Sequence, residues 1–270
     1  MSRFACLAAA LLIAPLLVAP ACAAAPAVEE NVVRVELPGR TIAALASRLE
    51  GATPQRVVML LPGNPGIMRI ESPTSFEMGG NFVVRSRRDW LAPDTLVIAV
   101  DAPSDEWCCF GGGFRAGSRY AEDLRALRAE LDRRHGTLPF NIVGTSEGSV
   151  TAYYAARALQ RAGDRVVFTA SLFNANRNTA GLAGLDVKAL TIPALLVHHA
   201  EDPCGVTPYA AAKAMAERTG FPLITVRHAN RGSGPACQAR TQHGFIGVEA
   251  DTVAAIDVWL RGGTATDVNK

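Results

Sequence analysis

Phe140-Asn141-Ile142-Val143 runs into Gly144-Thr145-Ser146-Glu147-Gly148, and the chain continues into a helix-period stretch at 149–161. An apolar strand, a corner bracketed by glycines and a helix put one serine on a sharp strand-to-helix turn, the nucleophile-elbow pattern. Such a corner needs glycine on both sides. The serine backbone is held at a strained angle, and a β-carbon two residues away would crowd the neighbouring strand or helix. The strain lifts the Ser146 hydroxyl clear of the sheet, where it can meet a substrate.

The flanking chain repeats the alternation. Apolar runs at 57–61, 96–100, 140–143, 166–170, 194–198 and 223–226 read as strands, and helix-period stretches at 82–91, 118–134, 149–161, 208–218 and 245–260 fall between them. This pattern predicts an α/β domain with a mostly parallel central sheet flanked by helices on both faces. An early extended piece at 31–37 is expected to add antiparallel pairing at one edge. In open sheets of this kind chemistry gathers at the carboxyl ends of the strands, and the motifs below fall there.

A serine hydroxyl is a weak nucleophile, so it needs a base within hydrogen-bond reach and a carboxylate to orient that base. Asp202 lies in the loop His199-Ala200-Glu201-Asp202-Pro203 after the strand at 194–198, and is read as the acid. Glu201 adjoins it and is the alternative; Asp202 is preferred because a residue before proline is biased to an extended conformation that projects its side chain. His243, in Gln242-His243-Gly244-Phe245 before the terminal helix, is read as the general base. His228 also ends a strand, but a long loop follows it rather than a helix. His198 and His199 resemble part of a metal cluster with Glu201 and Asp202. Neighbouring strand residues point to opposite faces, however, so no metal site is expected. Leu60-Leu61-Pro62-Gly63-Asn64-Pro65-Gly66 follows an early strand directly, and the backbone N–H groups of Asn64 and Glu147 are assigned to an oxyanion hole.

The Ser146 elbow, the Pro62–Gly66 turn, Asp202 after its strand and His243 before the last helix together resemble the α/β-hydrolase superfamily, over most of the chain beyond the N-terminal segment. The chain order serine, acid, histidine belongs to that fold rather than to the two protease arrangements of the same triad. The resemblance implies an eight-stranded sheet, a Ser-acid-His triad and no cofactor. One position departs from it: many members carry histidine just before the oxyanion glycine, where this chain has Pro62. Many relatives also insert a helical cap where this chain has only 174–190, so a minimal cap is expected. Trp107, Phe110 and Phe114, after the strand ending at Asp101, are candidates for a pocket wall overhanging the cleft, or else for ordinary loop packing.

The chain has 270 residues with 27 basic and 25 acidic side chains, and no basic run interleaved with aromatics. Nucleic acid and anionic membranes are therefore not expected partners. Arg3, an apolar run over 4–18 and small residues around Ala21-Cys22-Ala23 read as an export signal at 1–23, leaving one α/β domain over 24–270. The run is too short, and too interrupted by Pro15 and Pro20, for a membrane span of about 20 residues. Ala19-Pro20-Ala21 is a poor lipobox ahead of Cys22, so lipid attachment is not expected. A periplasmic or secreted location follows. In such a compartment a disulfide joining Cys204, two residues past Asp202, to Cys237, in the loop that delivers His243, is expected if the triad forms. Adjacent Cys108 and Cys109 leave either a vicinal disulfide or two thiols open. The functional expectation is an exported serine hydrolase acting on a small-molecule or polymer ester. The alternatives are an amidase or peptidase with the same triad and a non-catalytic binding protein on a hydrolase scaffold. Oligomeric state is left open.

Overall fold

The structure, a computed structural model, describes residues 26–108, 110–177 and 179–270. The expected export signal and Cys109 lie outside the described residues. Strands β1 (Val28–Leu37) and β2 (Arg40–Leu49) form an antiparallel hairpin turned by Pro38 and Gly39. After them come β3 (Arg56–Leu61), α1 (Phe82–Arg85), β4 (Thr95–Val100), α2 (Gly112–Arg115) and α3 (Ser118–His135). The next elements are β5 (Phe140–Thr145), α4 (Glu147–Leu159), β6 (Arg165–Thr169) and β7 (Ala194–His199). The chain finishes with α5 (Tyr209–Thr219), β8 (Leu223–Arg227), α6 (Glu249–Leu260) and β9 (Val268–Asn269).

These strands make one nine-stranded sheet in the order β1-β2-β4-β3-β5-β6-β7-β8-β9. Only the β1–β2 and β2–β4 pairings are antiparallel; every pairing from β4 to β9 is parallel. The count exceeds the expected eight because the edge piece extends to a full hairpin and two residues near the end of the chain pair with β8. Parallel central strands are covered on both faces, which is why every residue of β3, β4 and β5 is buried. Side chains still alternate by face. Val57, Met59 and Leu61 join the core against α3 and α4, including Leu127 and Val150, while Val58 and Leu60 join the core against α1 and α6, including Phe82 and Ile256.

Three helices differ from the periodic reading by two residues or more. The stretch at 82–91 is not one helix: α1 stops at Arg85 and a 3-10 turn covers Arg87–Trp90. Ser86 Oγ donates to Phe82 O (2.8 Å), and such back-bonding onto the preceding turn competes with helix continuation. The last helix begins at Glu249 rather than at residue 245, since Phe245 has a left-handed backbone (φ 58°) that ends a short 3-10 turn over Gln242–Gly244. His243 therefore sits in that turn, not directly against α6. Helix α4 starts at Glu147, two residues earlier than read, immediately after Ser146.

Candidate active site

Ser146 occupies the corner between β5 and α4 with φ 54° and ψ −124°, an unusual angle for a residue with a side chain. Both flanking glycines are required by contact. A Cβ on Gly144 would lie 2.1 Å from Gly148 O, and one on Gly148 would lie 2.3 Å from Leu61 O at the end of β3. The turn is held further by Ser146 N–H donating to Thr169 O (3.0 Å) and by Ser149 Oγ donating to Ser146 O (2.6 Å). Ser149 Oγ in turn accepts from Leu172 N–H (3.1 Å), tying the elbow to the chain after β6. Ser149 escaped the sequence reading because a serine three residues into a helix carries no pattern of its own.

Asp202 lies in the loop after β7, and its Oδ2 is 2.9 Å from His243 Nδ1. The same oxygen accepts from Thr207 Oγ1 (2.9 Å) and lies 3.2 Å from His198 Nε2, while Oδ1 accepts from Cys204 N–H (2.9 Å). Burial by itself raises this carboxyl, but the hydrogen bonds from His198 and His243 outweigh it and hold Asp202 below the ordinary carboxylate range. The rival acid faces elsewhere: Glu201 Oε2 accepts from Gln242 Nε2 (3.1 Å). His228, the rival base, bonds within its own turn through Asn230 N–H to Nδ1 (3.2 Å) and does not line the cavity described below. His198 is buried at the end of β7 with Nε2 2.7 Å from Thr207 O. Thr207 thus braces both the acid and its neighbouring imidazole. His199 is also buried, and desolvation keeps its imidazole below the usual value. Among the described residues no group of three or more His, Cys, Asp and Glu side chains could hold a metal ion.

Cys204 and Cys237 form a disulfide with a Cα–Cα separation of 4.6 Å, as the spacing along the triad loops predicted. It ties the acid loop to the loop that carries His243. That second loop is also pinned by Ser233 N–H to Arg240 O (2.9 Å) and by Thr241 Oγ1 to Ala236 O (3.1 Å). Cys108 is disulfide-bonded as well.

Ser146 and His243 line one cavity of about 840 Å³ at the carboxyl edge of the sheet, together with Asn64 and Glu147. The volume lies within the usual range for small-molecule sites, roughly 300–1,000 Å³. Among the described residues no hydrogen bond joins Ser146 Oγ to His243. Asn81, which the sequence did not single out, also faces this cavity, with Nδ2 3.5 Å from where a Cβ on Gly63 would stand. Between β6 and β7 the described residues form two 3-10 turns, Leu182–Gly184 and Val187–Ala189, and no helix longer than these.

Trp107, Phe110 and Phe114 do not line the cavity, so of the two readings offered for them the structure fits ordinary loop packing. Trp107 Nε1 donates to Ala102 O (3.2 Å), and Phe110 and Phe114 pack on Tyr120 of α3 with ring centroids 5.2 and 5.6 Å away. Each ring also meets an arginine: the buried Arg115 guanidinium lies 4.0 Å from the Phe110 ring centroid, Arg119 lies 5.2 Å from that of Phe114 and Arg69 lies 6.0 Å from that of Trp107. Arg115 donates to Pro65 O (2.9 Å), next to Asn64 in the turn after β3, and to Thr151 Oγ1 in α4, and its Nη2 lies 3.4 Å from Glu147 Oε1. One side chain therefore spans the turn after β3 and the helix behind the serine. An isolated arginine in a short helix gives no sequence signal for such a role.

This sheet, with its serine corner and its acid and histidine loops, is the α/β-hydrolase fold. No protein-family model matches the chain, and no curated protein matches it. Solved structures do. A dienelactone hydrolase from Anabaena variabilis aligns with a TM-score of 0.57 at 17% identity, covering 87% of this chain and 98% of that one. An α/β serine hydrolase without a lid from Xanthomonas campestris aligns at 0.55 and 16% identity over 84% and 94% of the two chains. A cold-adapted esterase from an Arctic intertidal metagenomic library aligns at 0.57 and 15% identity over 86% and 94%.

Proposed function

We propose that the protein is an exported serine hydrolase that cleaves carboxylic esters. The observation that carries this reading is the 2.9 Å hydrogen bond from His243 to Asp202 at the edge of a cavity that Ser146 also lines. With Nδ1 committed to the carboxylate, Nε2 is the ring atom left to take the serine proton. Ser146 Oγ attacks the ester carbonyl as His243 accepts that proton, and the N–H groups of Asn64 and Glu147 stabilise the oxyanion. His243 then returns the proton to the leaving alcohol, and water, activated by the same imidazole, releases the acid from Ser146. Hydrogen bonds of this kind are often open in the unliganded enzyme and tighten around substrate, so the Ser146–His243 contact forms as the ester enters. Esterases and a dienelactone hydrolase among the structures of the same fold support an ester, and the short 3-10 turns between β6 and β7 suit a small or an exposed one.

Labelling by a fluorophosphonate and a burst of p-nitrophenol from p-nitrophenyl acetate test the reading. Both are expected in the wild-type protein and absent in S146A. Equal labelling of the two proteins would overturn it.

A further inference from the structure

The cavity is positively charged at its mouth. Among the described arginines only Arg177, Arg218, Arg231 and Arg240 make no ion pair, side-chain hydrogen bond or ring contact, in a chain that otherwise partners its guanidinium groups throughout. Two of these four, Arg177 and Arg240, line the cavity. They reach it from different loops, one after β6 and one after β8, and both are exposed. The sole carboxylate in the lining is Glu147, which lies 3.4 Å from the buried Arg115 guanidinium. The amino end of α4, which begins at Glu147 in the lining, adds the positive end of its dipole.

Holding two unpartnered cations beside one cavity costs repulsion that an anionic ligand relieves, and guanidinium groups match carboxylate and phosphate oxygens in geometry. The backbone of Arg240 is fixed by the bond from Ser233 N–H and stands three residues before His243, so its side chain starts from a rigid point beside the catalytic histidine. Asn176, next to Arg177, is anchored through Nδ2 to Glu147 Oε2 (3.3 Å).

We propose that the cavity selects esters whose acyl or alcohol part carries a free anionic group, held by Arg177 and Arg240. This rests on the ester-hydrolase reading for turnover, but not for binding. Two measurements separate the two. In the first, kcat/KM is compared for the monoethyl esters of succinate, glutarate and adipate against the same esters with the distal carboxylate replaced by a primary amide. A matching ester with a terminal phosphomonoester distinguishes carboxylate from phosphate preference. The acid is expected to exceed its amide by about tenfold or more at low salt, mainly through KM, with the ratio falling toward one in R177A/R240A and in 0.5 M salt. A variant that merely loosened the fold would lower both substrates alike and leave the ratio intact. In the second, calorimetry on S146A is expected to detect adipate but not adipamide, with the adipate signal lost when R177A and R240A are added. Hydrolysis of acid and amide esters at equal rates, with no adipate binding, would overturn the anion site and leave the esterase standing. Arginine-dependent adipate binding without hydrolysis of any ester would do the reverse.

Discussion

Ser146 keeps its left-handed backbone only because the residues two positions to either side have no side chain. A methyl group at Gly144 or Gly148 would come within 2.3 Å of a backbone oxygen, so G144A and G148A are expected to lose about 4 kcal/mol or more, read from urea melts. Wild-type stability in either would show that the corner can relax. Asp202 and Glu201 are adjacent yet differ in partner, which predicts different outcomes for their amides. D202N should lower kcat about 10³- to 10⁴-fold by favouring the wrong imidazole tautomer, whereas E201Q should stay within a few-fold; steady-state kinetics on p-nitrophenyl acetate compares them. Two of the buried titrating groups, Asp202 and His199, set a direction with pH. The Asp202 carboxyl is held down in the folded state, so its contribution is present above about pH 4 and is lost as pH falls below that. His199 is also held down, but as a base: protonation favours the unfolded chain, so stability declines as pH drops below about 6.5. H199Q should flatten melting temperature between pH 7 and 5, while D202N should flatten it below pH 4. A parallel acid decline in both variants would remove these groups as the cause.

The elements that carry the site are loops, and each is fastened to something rigid. The Cys204–Cys237 disulfide spans a sequence separation of 33, and chain entropy assigns such a loop about 3 to 4 kcal/mol. Reductant, or paired replacement of both cysteines by alanine, should lower stability by about that much and reduce kcat as well, since the bridge joins the acid loop to the histidine loop. A loss of stability with unchanged kcat would show that the hydrogen bonds of the 233–241 segment hold His243 alone. The turn after β3 is fastened by Arg115 at Pro65 O and by Asp101, whose carboxylate accepts from Met68 N–H (2.6 Å) and Ile70 N–H (3.0 Å). N64P removes one N–H from a turn whose shape those contacts maintain. It should cost about a hundred- to a thousand-fold in kcat with an unchanged melting temperature, and a retained rate would place the oxyanion donor elsewhere.

Over the whole molecule the sheet separates two apolar cores, and the site rides on one edge of it. Stability and chemistry are therefore separable. Far from the cavity Arg128 and Asp164 form a buried ion pair (2.6 Å; side chains 2% and 0% exposed), and Asp164 also accepts from Phe140 N–H (2.8 Å) at the start of β5. Breaking such a pair leaves a charge in a dry interior, so D164A should lose about 3 to 5 kcal/mol in denaturant while the protein that remains folded hydrolyses ester at the wild-type rate. A fall in kcat would mean that the sheet transmits strain along β5 to the serine.

Strand and helix identity, the face alternation and the serine corner were legible in the chain because each is dictated by neighbours a few residues away: period-two and period-3.6 patterning, and glycines that sterics demand. The pairing of Cys204 with Cys237 could be anticipated too, once two motifs had to meet. What local pattern could not supply is anything set by partners distant in sequence. Some local events escaped as well, because no periodicity marks them: Ser86, bonding back to Phe82, broke a periodic helix, and the left-handed Phe245 moved the start of the last one. Phe110 and Phe114 pack on Tyr120 of α3, with Arg115 stacked on Phe110, rather than on the cleft. The gathering of Arg177 and Arg240 at one mouth arises only when loops far apart in the chain are packed side by side. Such contacts depend on the closed tertiary arrangement, and no spacing along the backbone encodes them.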